Sequence, residues 1–202
     1  MSKVSGRIVM ATGNKGKLAE IRQILEGSEL DIVPQSDYEF EPAEETGDTF
    51  LENALLKARR AAIETGLIAI ADDSGLVVDI LGGEPGVYSA RYAGDDATDE
   101  HNVDKLLQSL QGKGDEERTA AFHCVVVVVF PDEQREPIVA EGKWTGRIAQ
   151  SRRGEGGFGY DPVFFDPELG KCAAEMTADE KNARSHRGLA FRQLGGLLGF
   201  LE

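Results

Sequence analysis

Apolar residues along this chain recur in two rhythms that take turns. Ile8 to Thr12 is a short, mostly apolar run of the kind a buried strand leaves, and Gly13-Asn14 follows as a turn. Leu18, Ile21, Ile24 and Leu25 then recur at helical spacing. The rhythm repeats. Thr49 with Glu52 forms a capping box ahead of Leu51, Ala54, Leu55, Ala58 and Ala62; Gly66 supplies the left-handed stop, and Ile68-Ala69-Ile70-Ala71 resumes as strand. Thr98 caps a third helix carrying Val103, Leu106, Leu107 and Leu110, which ends at Gly112.

Beyond that helix the pattern changes. Thr119 to Phe130 contains five consecutive valines, the β-branched density of a strand buried on both faces. Pro131-Asp132-Glu133 starts a turn towards Ile138–Ile148, and the two strands are expected to pair antiparallel as a long hairpin. Pro162 to Phe165 reads as another short strand. Thr177 with Glu180, and Ser185 ahead of Leu189, Leu194, Leu197 and Leu198, mark two closing helices. Gly112 to Arg118 and Arg152 to Gly157 read as loops. Helices alternating with strands around one hairpin predict an α/β fold with a mixed central sheet and flanking helices.

Composition narrows the reading. With 202 residues, 41% of them hydrophobic, and 24 glycines, the chain suits one large domain over 1–202, undivided or in two lobes. A formal charge of −14 argues against nucleic acid or an anionic membrane as partner, because both demand an extended basic face. Small anions stay open if basic groups converge locally. The longest apolar stretch, Cys124 to Phe130, is far too short to span a bilayer, and no signal-like segment opens the chain, so a soluble, unprocessed protein is expected. Cys124 and Cys172 show no metal-ligand spacing and read as reduced thiols, which suits the cytoplasm.

Four stretches could carry chemistry. Ala71-Asp72-Asp73-Ser74-Gly75 places two adjacent carboxylates at the end of an apolar strand. Two readings fit: a turn with an Asx-type hydrogen bond, or a pair that demands a cation. In Thr12-Gly13-Asn14-Lys15-Gly16-Lys17 the glycines let backbone N–H groups approach an anion at the coming helix end, with two lysines adding charge. It is not a Walker A loop, since Leu18 stands where a Ser or Thr belongs. An ordinary strand-to-helix turn with solvated lysines fits as well. Glu44-Glu45 precede a helix and are either partners of its dipole or, with an aspartate of the pair, the one or two carboxylates that a phosphate-bound Mg²⁺ needs. Pro42 argues against a Nudix helix there.

Glu155-Gly156-Gly157-Phe158-Gly159-Tyr160-Asp161 sets two aromatics in a glycine-rich loop, either folded onto the core or placed to stack on something flat such as a nucleobase. Lys181, His186 and Arg187 cluster at a helix junction, as a solvated face or as readers of a base edge. His101 and His123 read as structural.

Taken in order, Thr12-Gly13-Asn14-x-x-Lys17, Phe50-Leu51-Glu52-Asn53-Ala54, Ala71-Asp72-Asp73-Ser74-Gly75, Gly157-Phe158-Gly159-Tyr160-Asp161 and Ser185-His186-Arg187-Gly188 resemble the inosine triphosphate pyrophosphatase family, the Ham1 or RdgB-like family. The bacterial non-canonical purine nucleoside triphosphate pyrophosphatases resemble it most. The resemblance covers nearly the whole chain. It implies hydrolysis of ITP, dITP and XTP to monophosphate and pyrophosphate with Mg²⁺, by a homodimer whose active-site cleft lies between two lobes. By motif, it implies that Thr12, Gly13, Asn14, Lys15, Gly16 and Lys17 bind the triphosphate, that Glu44 and Asp73 hold Mg²⁺, and that Asp73 accepts the proton. Ser74 would touch substrate, and Phe158, Gly159, Tyr160, Asp161, Lys181, His186 and Arg187 would bind the nucleoside.

Overall fold

The structure, a computed structural model, describes residues 6–27, 30–132 and 134–198, so Glu133 of the expected turn lies outside it. Seven strands, β1 (Gly6–Met10), β2 (Leu30–Pro34), β3 (Ile68–Val78), β4 (Thr119–Val129), β5 (Ile138–Ile148), β6 (Phe164–Asp166) and β7 (Lys171–Cys172), make one sheet in the order β2-β1-β3-β4-β5-β6-β7. β1 pairs parallel with β2 and β3, whereas β6 pairs antiparallel with β5 and β7. The sheet is mixed, as expected. Ile148 N–H, at the end of β5, donates to the Arg118 carbonyl just before β4 at 2.9 Å, the placing of antiparallel neighbours.

Five α-helices accompany the sheet among the described residues: α1 (Lys15–Ile24), α2 (Phe50–Thr65), α3 (Asp99–Ser109), α4 (Ala178–Arg184) and α5 (His186–Leu198). Their starts follow the sequence signals. Thr49 Oγ1 accepts from Glu52 N–H and Glu52 returns a carboxylate oxygen to Thr49 N–H, closing the box that begins α2, which Gly66 ends at φ +67°. Thr98 does the same for α3, but the returning group is the His101 imidazole, which gives that histidine the structural role expected of it.

By internal packing the chain divides into two compact units, one of Met1–Asp73, Cys124–Gly142 and His186–Glu202, the other of Ser74–His123 and Lys143–Ser185. In the first unit, strand alternation sorts side chains between two apolar layers. Ile8, Met10, Ile70, Val126 and Val128 pack with Ile21 and Leu25 from the α1 segment and Phe191 and Leu194 of α5. Val9, Ala11, Ala69, Ala71, Val125, Val127 and Val129 pack with the alanines of α2. The valine run is thus buried on both faces. The second unit is centred on Leu76, Leu106, Trp144 and a tilted cluster in which the Phe164 ring lies 4.6 Å from that of Phe122 and 4.7 Å from that of Trp144.

Three expectations need correction. β3 does not turn at Ser74-Gly75; it runs straight through the acid pair to Val78, because cations meet both carboxylates and Gly75 keeps an ordinary extended backbone. In α5, Leu194 and Leu198 are buried together with Ala190 and Phe191, while Leu189 and Leu197 are exposed, so only two of the four expected leucines lie on its inward stripe. β2 and β7 are additional strands.

Candidate active site

Continuation of β3 through Asp72 and Asp73 decides what each carboxylate meets, since neighbours in a strand point to opposite faces. Asp72 shares the side of Ile70. Its Oδ2 lies 3.1 Å from Lys17 Nζ on α1 and 3.4 Å from Arg187 Nη2 on α5, and it accepts a long contact from the Cys124 thiol at 4.0 Å. Burial alone would raise its pKa, but Lys17 and Arg187 hold it far below the usual carboxylate range. Burial and this carboxylate push the Cys124 thiol up to about 12, so it is an inert donor. Arg187 is itself buried and also pairs with Glu20.

Asp73 shares the side of Ala69 and Ala71 and faces α2. Its Oδ1 lies 2.9 Å from Lys57 Nζ and its Oδ2 accepts from Asn53 Nδ2 at 3.4 Å. Here burial wins. The Asp73 pKa is raised, with Lys57 and Lys17 offsetting only part of the desolvation. Lys57 also reaches Glu45 Oε1 at 2.8 Å, so one ammonium holds two carboxylates; burial lowers its pKa, but the surrounding acids outweigh that and raise it.

Thr12 to Lys17 form the strand-to-helix turn in front of this pair. Asn14 is the N-cap of α1, with Oδ1 accepting from Lys17 N–H at 3.0 Å, while Thr12 Oγ1 accepts from Asn14 N–H at 3.2 Å. Gly13, Asn14 and Lys15 are exposed, so the helix start faces solvent and is available to an anion.

The second unit gathers the aromatic loop. Asp161 Oδ2 accepts from Lys181 Nζ at 2.5 Å and from Phe158 N–H at 2.9 Å, and Lys181 Nζ stands 4.9 Å from the Phe158 ring centre. Gly157 is required at φ +74°, and a Cβ there would lie 2.0 Å from Asp161 Oδ2. Phe158 stays half-buried. Tyr160 is buried, with its hydroxyl donating to the Ser89 carbonyl at 2.8 Å, which makes it a support of the loop. Ser74 is half-buried in β3. His186 is buried in the first turn of α5 beside Arg187.

The structure therefore brings Lys17, Asp72, Asp73 and Arg187 together in the first unit, and Phe158, Asp161 and Lys181 together in the second. Arg187 belongs with the acid pair. Lys57, which the sequence did not single out, and Asn53, quoted there only within the Phe50–Ala54 motif and without a role, complete the first cluster; their signal was a four-residue spacing of polar groups within an alanine-rich helix. No group of three or more His, Cys, Asp or Glu side chains gathers as a metal cage among the described residues. Two carboxylates sharing one cation do fit Mg²⁺, which takes one or two from protein and the rest from phosphate and water. The glutamate drawn to Asp73 is Glu45, while Glu44 next to it is exposed.

A mixed sheet presenting an acid pair beside a solvent-facing helix start makes this an α/β protein with a site suited to an anion. The chain belongs to the Ham1 family, whose model matches residues 8–196. It is 57% identical over 188 residues to the dITP/XTP pyrophosphatase of Pectobacterium atrosepticum, covering 93% of this chain and 95% of that protein. Against the dITP/XTP pyrophosphatase of Escherichia coli O157:H7 it is 55% identical, with the same coverage. Among solved structures, a HAM1 protein from Coxiella burnetii matches with a TM-score of 0.88 at 46% identity, over 96% of this chain and 98% of that one. The Staphylococcus aureus Ham1 protein matches at 0.85 and 42%, with the same coverage.

Proposed function

We propose that this protein hydrolyses the non-canonical purine nucleoside triphosphates ITP, dITP and XTP to the monophosphate and pyrophosphate, with Mg²⁺, as a cytoplasmic homodimer. The observation that carries the reading is the division of labour within β3. Asp72 is locked as an anion by Lys17 and Arg187, whereas Asp73 keeps a raised pKa beside a lysine that it shares with Glu45.

Attack of water on the α-phosphorus needs a proton acceptor and cationic donors for the departing pyrophosphate. Asp73 takes the proton at a carboxylate oxygen. Lys17, 15% exposed and anchored on Asp72, meets phosphate oxygens together with the N–H groups that open α1. Asp73 and the Glu44-Glu45 pair would hold Mg²⁺, which would supply charge neutralisation on the phosphate oxygens. The negative surface repels a triphosphate, so these local cations have to supply the attraction.

In this reading Phe158, Asp161 and Lys181 bind the purine. Phe158 offers the stacking face, with its backbone held by Asp161, and Lys181 offers only donors. A 6-oxo group accepts from such a donor, while the 6-amino group of adenine opposes it, so ATP is the poor substrate. A panel of nucleoside triphosphates with Mg²⁺, scored for pyrophosphate against orthophosphate, tests the reading. Pyrophosphate from ITP, dITP and XTP with little from ATP is expected; orthophosphate as the primary product would contradict it. Sedimentation of twice the 21.9 kDa chain mass is expected for the dimer.

A further inference from the structure

Asn53 sits on α2 with none of its surface exposed, and its side-chain amide is fully used. Oδ1 accepts from Gly47 N–H at 2.7 Å, and Nδ2 donates to the Gly47 carbonyl at 3.3 Å and to Asp73 Oδ2 at 3.4 Å. Both amide hydrogens have a destination. Asparagine competes poorly for a place inside a helix, because its amide prefers to bond backbone elsewhere, and here it does so with a loop six residues upstream. Gly47 is matched to it: a Cβ there would stand 2.8 Å from Asn53 Oδ1 and 2.6 Å from Glu52 Cβ. Only glycine lets the backbone come so near.

That clamp lies two residues after Glu45 and three after Glu44, and Thr46 N–H donates to the Glu44 carbonyl at 3.1 Å. One helical turn further along α2, Lys57 binds the other oxygen of Asp73 and also Glu45. Residues four apart on one helix face thus grip both oxygens of Asp73, and the first of them also fixes the acidic loop.

We propose that Asn53 is a positioning residue, whose amide sets the spacing between the Glu44-Glu45 loop and the Asp73 carboxylate and so the geometry in which they meet a shared cation. The inference rests on the function proposed above, and it concerns a residue with no surface exposed to a ligand. A displacement of about 1 Å among reacting groups costs on the order of a hundredfold in rate.

The test compares the parent protein with Asn53→Ala, Asn53→Asp and Thr49→Ala. In the metal-free protein, exchange of the Gly47 amide hydrogen should quicken at least about tenfold in Asn53→Ala, since that bond protects it. Asn53→Asp keeps an acceptor for Gly47 N–H but sets a carboxylate oxygen against Asp73 Oδ2 and the Gly47 carbonyl. With dITP, kcat should fall about a hundredfold in both Asn53 variants, KM should stay within about threefold, and half-saturation by Mg²⁺ should move up about tenfold. Thr49→Ala loosens the same end of α2 by removing its cap. Its kcat should stay within about threefold of the parent, so a loss confined to the Asn53 variants separates positioning from stability. Unchanged Gly47 exchange in Asn53→Ala would overturn the clamp. Faster exchange with kcat and Mg²⁺ response retained would reduce Asn53 to a structural staple. A parent that releases no pyrophosphate overturns the proposed function; an active parent with active Asn53 variants overturns this inference alone.

Discussion

Asp73 in the first unit and Asp166 in the second are both buried carboxylates borne on strands, and they are held in opposite ways. Asp166 accepts from Trp144 Nε1 at 2.9 Å, Arg184 Nε at 2.5 Å and the backbone N–H groups of Glu168 and Leu169 at 2.8 and 3.2 Å. Burial would raise its pKa, yet Arg184 and Trp144 outweigh it and the pKa is lowered. Asp73 has one amide and one lysine, and that lysine is divided with Glu45. Its pKa moves up. A carboxylate saturated by fixed donors has become part of the framework. One whose charge is balanced by a long, shared side chain can exchange that partner and accept a proton.

Four experiments sharpen or break the contrast. Removing divalent metal with a chelator should lower pyrophosphate release from dITP by at least about 10³-fold, about 4 kcal/mol of barrier, while leaving thermal unfolding of the protein within a few degrees. Unimpaired turnover in the chelator would detach the Asp73 cluster from metal. Asp166→Asn should act the other way, costing about 2–4 kcal/mol of stability in denaturant titration because Arg184 loses its buried counter-charge, keeping only the exposed Glu168, and the donors lose an anion. Phe158→Ala should raise KM for dITP about tenfold with little change in melting, as expected for loss of one stacking face; an unchanged KM refutes stacking. The smallest effect is in the pH profile. Because the folded pKa of Asp166 is depressed, its contribution is complete above its unfolded pKa of about 4 and fades as pH falls through the lower folded value. The stability gap between parent and Asp166→Asn should therefore be constant from pH 6 to 8, values at which a carboxylate with a pKa of about 4 is ionised, and narrow only in acid.

Much of this framework was legible in the residues alone. Thr49 with Glu52, Thr177 with Glu180 and the run Val125–Val129 announce their elements because their signals are local. β2 and β7 escaped notice, being five and two residues long, without a clear alternation. The strand end expected at Asp72-Asp73, with a turn as one of two readings, followed from two charges and a glycine. Tertiary partners reversed it, with Lys57 arriving from 16 residues away and Arg187 from 115. The same distance explains why Arg187, grouped by its motif with the nucleoside contacts, proves to sit on Asp72. Lys57 looked like an ordinary polar position on a helix and Asn53 stood in a motif without a role, and only the strand facing α2 gives them a purpose.

The contrast between the two carboxylates is tested most directly by pyrophosphate release from dITP with Mg²⁺, measured side by side for Asp73→Asn and Asp166→Asn below both melting temperatures. The account predicts a loss of about 10³-fold or more for Asp73→Asn and a rate within about threefold of the parent for Asp166→Asn. Retained turnover in Asp73→Asn, or an equal loss in both, would contradict it.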